Sequence, residues 1–171
     1  VHPNGREWVR GKVLALADSL QGTNVYLKVN SALRACGYGL IDDVHAKGLR
    51  VFADLKLVDI PEILATDGSL LQEAKPELLT VMCDSGVHGL GALKEALPET
   101  EILGVTVLTS VDEELCREMY EHDIMEMVLS FAYQAYHAGL GGLVCSPSEA
   151  ATLRKDSSFA RMTINTPGVR P

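Results

Sequence analysis

Asp54, Lys56 and Asp59 are spaced D-x-K-x-x-D within residues 51–61, and no other stretch of the chain is better suited to chemistry. An extended segment sends alternate side chains to the same face. Asp54 and Lys56 therefore point one way, while Val51, Ala53, Leu55 and Leu57 form an apolar opposite face. Opposite charges at the end of an apolar strand cost desolvation free energy, which a site with a task offsets. The chemistry available is that of a compact cation with transferable protons, held beside a carboxylate that neutralises it. For a D-x-K pair alone, the commoner reading is a structural salt bridge.

The elements that must position these residues alternate. Apolar spacing predicts a helix over 7–20 closed by Gly22, a strand over 25–29, and a helix over 33–47 closed by Gly48. A strand over 51–55 leads into a helix from Pro61 to Ala74, with proline in the first turn. Further strands are expected at 78–82, 102–108, 143–145 and 162–165, and further helices at 88–97 and 124–138. Two capping boxes are read, Ser110 with Glu113 and Ser146 with Glu149. Six strands with helices between them predict one domain over 1–171, with a parallel sheet in either an open doubly wound form or part of a (β/α) barrel. In both, ligands bind at the C-terminal strand ends. Lys28, Asp54, Lys56, Cys83–Ser85, Thr109, Ser146 and 166–168 collect there.

Bulk properties narrow the class. The chain has 171 residues, 47% hydrophobic, with a formal charge of -8 and no cluster of Lys or Arg. A nucleic acid or anionic membrane partner is not expected from that balance. No apolar run reaches the roughly 20 residues needed to span a bilayer. Cys36, Cys83, Cys116 and Cys145 are scattered without C-x-x-C spacing, so they are read as reduced thiols of a cytoplasmic protein. His45, His88, His122 and His137 fall on helices or helix starts without metal-ligand spacing, and Gly139–Gly142 lacks the G-x-G-x-x-G pattern.

Several motifs together resemble the orotidine 5'-phosphate decarboxylase family. They are Asp54, Lys56, Asp59, Ile60 and Pro61; Leu27-Lys28-Val29; residues 104–110; residues 144–150; and residues 165–171, in the family's order. The resemblance implies an α/β fold of the (β/α)8 TIM-type barrel, here about six βα units. It also implies cofactor-independent decarboxylation of orotidine 5'-monophosphate to uridine 5'-monophosphate in pyrimidine biosynthesis. Lys56 then stabilises charge at C6 of the pyrimidine and delivers the proton, and Asp54 lies near the substrate carboxylate. Lys28 and Asp59 complete an alternating Lys-Asp-Lys-Asp array. Asp59 reaches into the partner's site of a homodimer, although on its own it reads as a cap of the following helix. Thr109 contacts the pyrimidine, Pro167 and Gly168 open the loop over the base, Arg170 helps to bind phosphate, and Ile60 joins the substrate-binding set. No metal is implied.

The chain departs from the family at Met82-Cys83-Asp84, where many members carry a histidine and small residues, and at Ile63, where some carry a threonine. The resemblance also places the family's first strand before Val1 and its eighth after Pro171, so an open barrel with two unpaired edges and little turnover is expected of these residues alone. The nearest alternative is the sister group of Mg-dependent sugar-phosphate decarboxylases and aldolases. There, a glutamate that helps to ligate the metal stands where this chain has Lys28, a cation that would repel Mg2+.

Overall fold

Each apolar strand pairs in parallel with the next one in sequence. The strands are β1 (Tyr26–Val29), β2 (Arg50–Leu57), β3 (Leu78–Met82), β4 (Glu101–Val105), β5 (Gly142–Val144) and β6 (Thr163–Asn165), and their order in the sheet is the order of the chain. This computed structural model describes residues 5–168. A doubly wound sheet reverses its strand order at a switch point, and this sheet has no reversal, so the barrel alternative is the one realised. In a flat sheet, five strand spacings would put β1 and β6 roughly 24 Å apart. Instead Tyr26 of β1 and Thr163 of β6 line one cavity, so the sheet curls strongly. Among the described residues β1 and β6 do not pair with each other, and the barrel stays open between them.

Parallel neighbours need a crossover, and the helices supply it. They are α1 (Gly5–Leu20), α2 (Ser31–Cys36), α3 (Gly39–His45), α4 (Pro61–Ala74), α5 (Gly86–Ala96), α6 (Glu113–Tyr120), α7 (Ile124–His137) and α8 (Pro147–Leu153). The sheet's outward residues Val51, Ala53, Leu79, Val81, Ile102 and Leu143 are fully buried with Leu64, Leu71, Leu90 and Leu93 of α4 and α5. The opposite, inward positions are left to form the site. At Gly142 the strands approach so closely that a Cβ would lie 2.7 Å from Leu103 and 2.8 Å from the Thr163 carbonyl.

Most predicted boundaries move by a residue or two, and three differences have a local reason. The helix expected over 33–47 is two, because Gly37 turns to φ 79° and its N–H bonds back to the Leu33 carbonyl at 2.8 Å. The strand expected to reach 108 ends at Val105, and a turn follows in which the Val111 N–H reaches the Leu108 carbonyl at 2.9 Å. Helix α6 is capped by Asp112, which accepts from the Leu115 N–H at 2.9 Å, and not by Ser110. The Ser146–Glu149 box is present, with the Glu149 carboxylate accepting from the Ser146 N–H at 2.8 Å.

Candidate active site

The inward residues of β2 sit where the strand departs from regular pairing. Ala53 faces Leu79 and Leu57 faces Val81, so β2 advances four residues while β3 advances two. Such a bulge re-aims side chains. Lys56 lies within it at φ 48°, a left-handed conformation that costs a non-glycine residue about 1–3 kcal/mol and persists only where its surroundings hold it. Its N–H donates to Thr80 Oγ1 at 2.9 Å, and the preceding Leu55 carbonyl accepts from Arg34 Nη2 at 2.7 Å.

Asp54 is the centre of the arrangement and is only 6% exposed. Its Oδ1 accepts from Lys56 Nζ at 2.6 Å and from Thr80 Oγ1 at 3.0 Å, while its Oδ2 lies 3.1 Å from Lys28 Nζ. Burial alone would raise its pKa. The hydrogen bonds from Lys56 and Lys28, the charge of Lys56 and the Thr80 hydroxyl outweigh burial and hold the carboxyl below its ordinary value. Asp54 is therefore an anion with two ammonium partners, both of which also face a cavity of about 210 Å³. Residues from all six strands or the loops just after them line this cavity, among them Phe52, Val105, Val144 and Asn165. Lys28 Nζ stands 5.9 Å from the centre of the Phe52 ring.

The structure brings Lys28, Asp54, Lys56, Thr109 and Pro167 to this one cavity. Gly168 follows Pro167 at φ 80° and is exposed, and Arg170 lies outside the described residues. Asp59 and Ile60 do not line the cavity. Asp59 is exposed and its carboxylate accepts from the Ile60 N–H at 2.8 Å. Ile60, not Asp59, holds the N-cap position of α4, which corrects the capping alternative. Ile60 is 60% exposed and Ile63 is 44% exposed, so both present apolar surface to solvent.

The Met82-Cys83-Asp84 departure does not reach the cavity lining. Cys83 is fully buried, with its thiol pushed up to about 12, chiefly by that burial, and Asp84 accepts from the Tyr120 hydroxyl at 3.1 Å. Cys145 does line the cavity, yet burial, followed by the Glu149 charge, pushes its thiol up to about 11, so it is no nucleophile near neutrality. Among the described residues no group of three His, Cys, Asp or Glu side chains is placed to hold a metal ion, and all four cysteines are free. No helix of the described residues is long and apolar enough to cross a membrane.

Besides apolar lining residues and Cys145, the sequence analysis missed two hydrogen-bonding side chains of the cavity, Thr80 and Asn165. Thr80 was signalled by a lone hydroxyl at the centre of the otherwise apolar strand 78–82. Asn165 was signalled only by its place before Thr166-Pro167-Gly168.

Fold and site together define an open, parallel α/β barrel whose charged side chains converge on a cavity at the C-terminal strand ends. The pattern described as the orotidine 5'-phosphate decarboxylase / HUMPS family matches residues 10–171. Orotidine 5'-phosphate decarboxylase of Pseudomonas paraeruginosa is 36% identical over 169 residues, covering 95% of this chain and 72% of that protein. The enzyme of the same name from Campylobacter fetus is 32% identical over 166 residues, covering 92% and 72%. The crystal structure of orotidine 5'-phosphate decarboxylase from Lactobacillus acidophilus superimposes with a TM-score of 0.85 at 28% identity, covering 94% of this chain and 77% of that one. The chain belongs to the orotidine 5'-phosphate decarboxylase / HUMPS family.

Proposed function

We propose that this protein is a carboxy-lyase that converts orotidine 5'-monophosphate to uridine 5'-monophosphate, with Lys56 as the proton donor. The observation that carries this reading is the buried Asp54 carboxylate holding the Lys56 and Lys28 ammonium groups at the cavity, in a chain 36% identical to a relative of that name. In the reaction the bond between C6 and the carboxylate breaks, carbon dioxide leaves, and the electron pair stays on C6. No conjugated group takes up that pair, so the site must neutralise it in place. The Lys56 ammonium stabilises the developing carbanion and gives it a proton, and the neutral amine is then reprotonated from solvent. Asp54 keeps Lys56 aimed through their hydrogen bond, and its own charge opposes the substrate carboxylate until carbon dioxide departs. Lys28 compensates Asp54 and keeps the buried carboxylate ionised.

In this reading Thr109 bonds the pyrimidine, Pro167 and Gly168 cover the base, and Arg170 meets the phosphate. Asp59 and Ile60 are exposed and away from the cavity, which fits a role completed across a homodimer, with Asp59 entering the partner's site. The free thiols fit a cytoplasmic enzyme. The metal-dependent sister chemistry is disfavoured by the donor set: both Asp54 oxygens are taken by ammonium groups where Mg2+ would need free oxygen ligands.

The test is loss of orotidine monophosphate absorbance by the full-length protein, with and without chelator. Turnover unaffected by chelator, and absent in Lys56→Ala with the fold intact, is the expected result. Turnover abolished by chelator and restored by Mg2+, or near-normal activity in Lys56→Ala, would overturn it.

A further inference from the structure

The Leu55–Lys56 peptide group is held at both ends by side chains from other elements. Arg34 of α2 donates to its carbonyl at 2.7 Å, and its N–H donates to Thr80 of β3 at 2.9 Å. The sheet itself holds this unit poorly, since the β2–β3 register jumps from Ala53–Leu79 to Leu57–Val81 across it. Rotation between this peptide plane and the rest of Lys56 is the φ angle that stands at 48°. The Thr80 hydroxyl that accepts from the lysine backbone also donates to Asp54 Oδ1 at 3.0 Å, the same oxygen that binds Lys56 Nζ at 2.6 Å. One buried hydroxyl thus ties together the backbone of the lysine and its counter-ion.

We propose that Arg34 and Thr80 are positioning residues that clamp the Leu55–Lys56 peptide in its left-handed turn and so aim the Lys56 ammonium into the cavity. The proposal rests on the reading of Lys56 as proton donor. A lysine in an extended strand prefers negative φ, so an unclamped Lys56 relaxes toward that region and carries its side chain away from the present direction. The clamp needs both an acceptor for the N–H and a donor for the carbonyl, because a peptide plane fixed at one end still swings about the other. Thr80 supplies the first and Arg34 the second. Arg34 is exposed and does not line the cavity, so its effect on turnover has to pass through this carbonyl.

Thr80→Val keeps shape and removes both hydroxyl bonds, Thr80→Ser keeps the hydroxyl, and Arg34→Met keeps the apolar stem without the guanidinium. In the full-length protein, exchange of the Lys56 amide proton reads the clamp independently of turnover, and kcat and KM for orotidine monophosphate read its consequence. In Thr80→Val the Lys56 amide is expected to exchange about tenfold faster or more. Its kcat should fall about 10²-fold, as a misplacement of roughly 1 Å does, with KM changed less than about threefold. Thr80→Ser should stay within about threefold of wild type, and Arg34→Met should lose about tenfold in kcat. The double variant should lose less than the product of the two single losses, because both act on one peptide group.

Wild-type exchange at Lys56 in Thr80→Val, or a freed amide with kcat within about twofold of wild type, would overturn the proposal. If Thr80→Val fails to fold, Arg34→Met carries the same readouts, and unchanged exchange and kcat there would overturn it. If the wild-type protein does not consume orotidine monophosphate, the proposed function fails by itself. Amide exchange and the Lys56 φ angle in a Thr80→Val crystal structure then decide the clamp.

Discussion

Replacing Asp54 by asparagine keeps the shape of the site and removes the charge on which it is organised. Asp54 takes three hydrogen bonds, from Lys56, Lys28 and Thr80, at a position 6% exposed. A buried hydrogen bond to a charged group contributes about 1.5–3 kcal/mol. The Lys28 and Lys56 side chains are 53% and 38% exposed, so solvent screening cuts each pair to about 1 kcal/mol or less. Asparagine can still accept from Thr80, but it turns an amide NH2 toward one ammonium group. The expected net cost is about 2 kcal/mol at pH 7, or about 4–8 °C in Tm for a domain of this size.

The sign of the pH dependence follows from the lowered Asp54 pKa. The carboxylate's stabilising effect is fully present above the unfolded-state value near 3.8 and is lost as pH falls through the still lower folded-state value. Urea unfolding of wild type and Asp54→Asn across an acid series reads the difference directly. The gap should hold from about pH 7 to pH 5 and close below the ordinary carboxylate range. A gap that is flat into strong acid, or a variant as stable as wild type at pH 7, would refute the reasoning.

Two further outcomes follow from the same geometry. If Asp59 acts across a homodimer, mixing inactive Lys56→Ala and Asp59→Ala proteins should restore activity, because each mixed dimer has one intact site. Equal mixing then yields about a quarter of wild-type activity, whereas no recovery would place both residues in one subunit's site. Gly142→Ala should destabilise by about 1–3 kcal/mol in urea unfolding, since the added methyl meets the Thr163 carbonyl, which is backbone and cannot turn aside. Wild-type stability there would mean that β5 and β6 can separate freely.

The βα rhythm and the strand that carries Asp54 and Lys56 were legible because burial imposes a period on apolar residues, and period survives in sequence. Helix α4 and strand β3 fall where that period puts them. The bulge did not show. Alternation put Asp54 and Lys56 on one face, and they do share the cavity, but through a left-handed lysine and a two-residue register shift that leave no periodic mark. Thr80 left a mark that went unread, a hydroxyl inside an apolar strand, which needs a partner wherever it is buried. The break at Gly37 was hidden because apolar spacing continues through it, and only the φ of the glycine separates α2 from α3. Asp112 rather than Ser110 is the cap because the chain first turns back on itself, Val111 N–H to the Leu108 carbonyl, and α6 starts only at Glu113. Asp59 shows the limit of motif reading: its spacing places it beside the strand end, while its exposure leaves its task to whatever approaches that surface.

The chemistry turns on one ammonium group meeting one ring carbon, and a crystal structure of the full-length protein with a 6-substituted uridine 5'-monophosphate shows whether they meet. Lys56 Nζ should stand in hydrogen-bond contact with the 6-substituent while it remains bonded to Asp54. A nucleotide bound elsewhere, or in the cavity with Lys56 turned away into solvent, would contradict it.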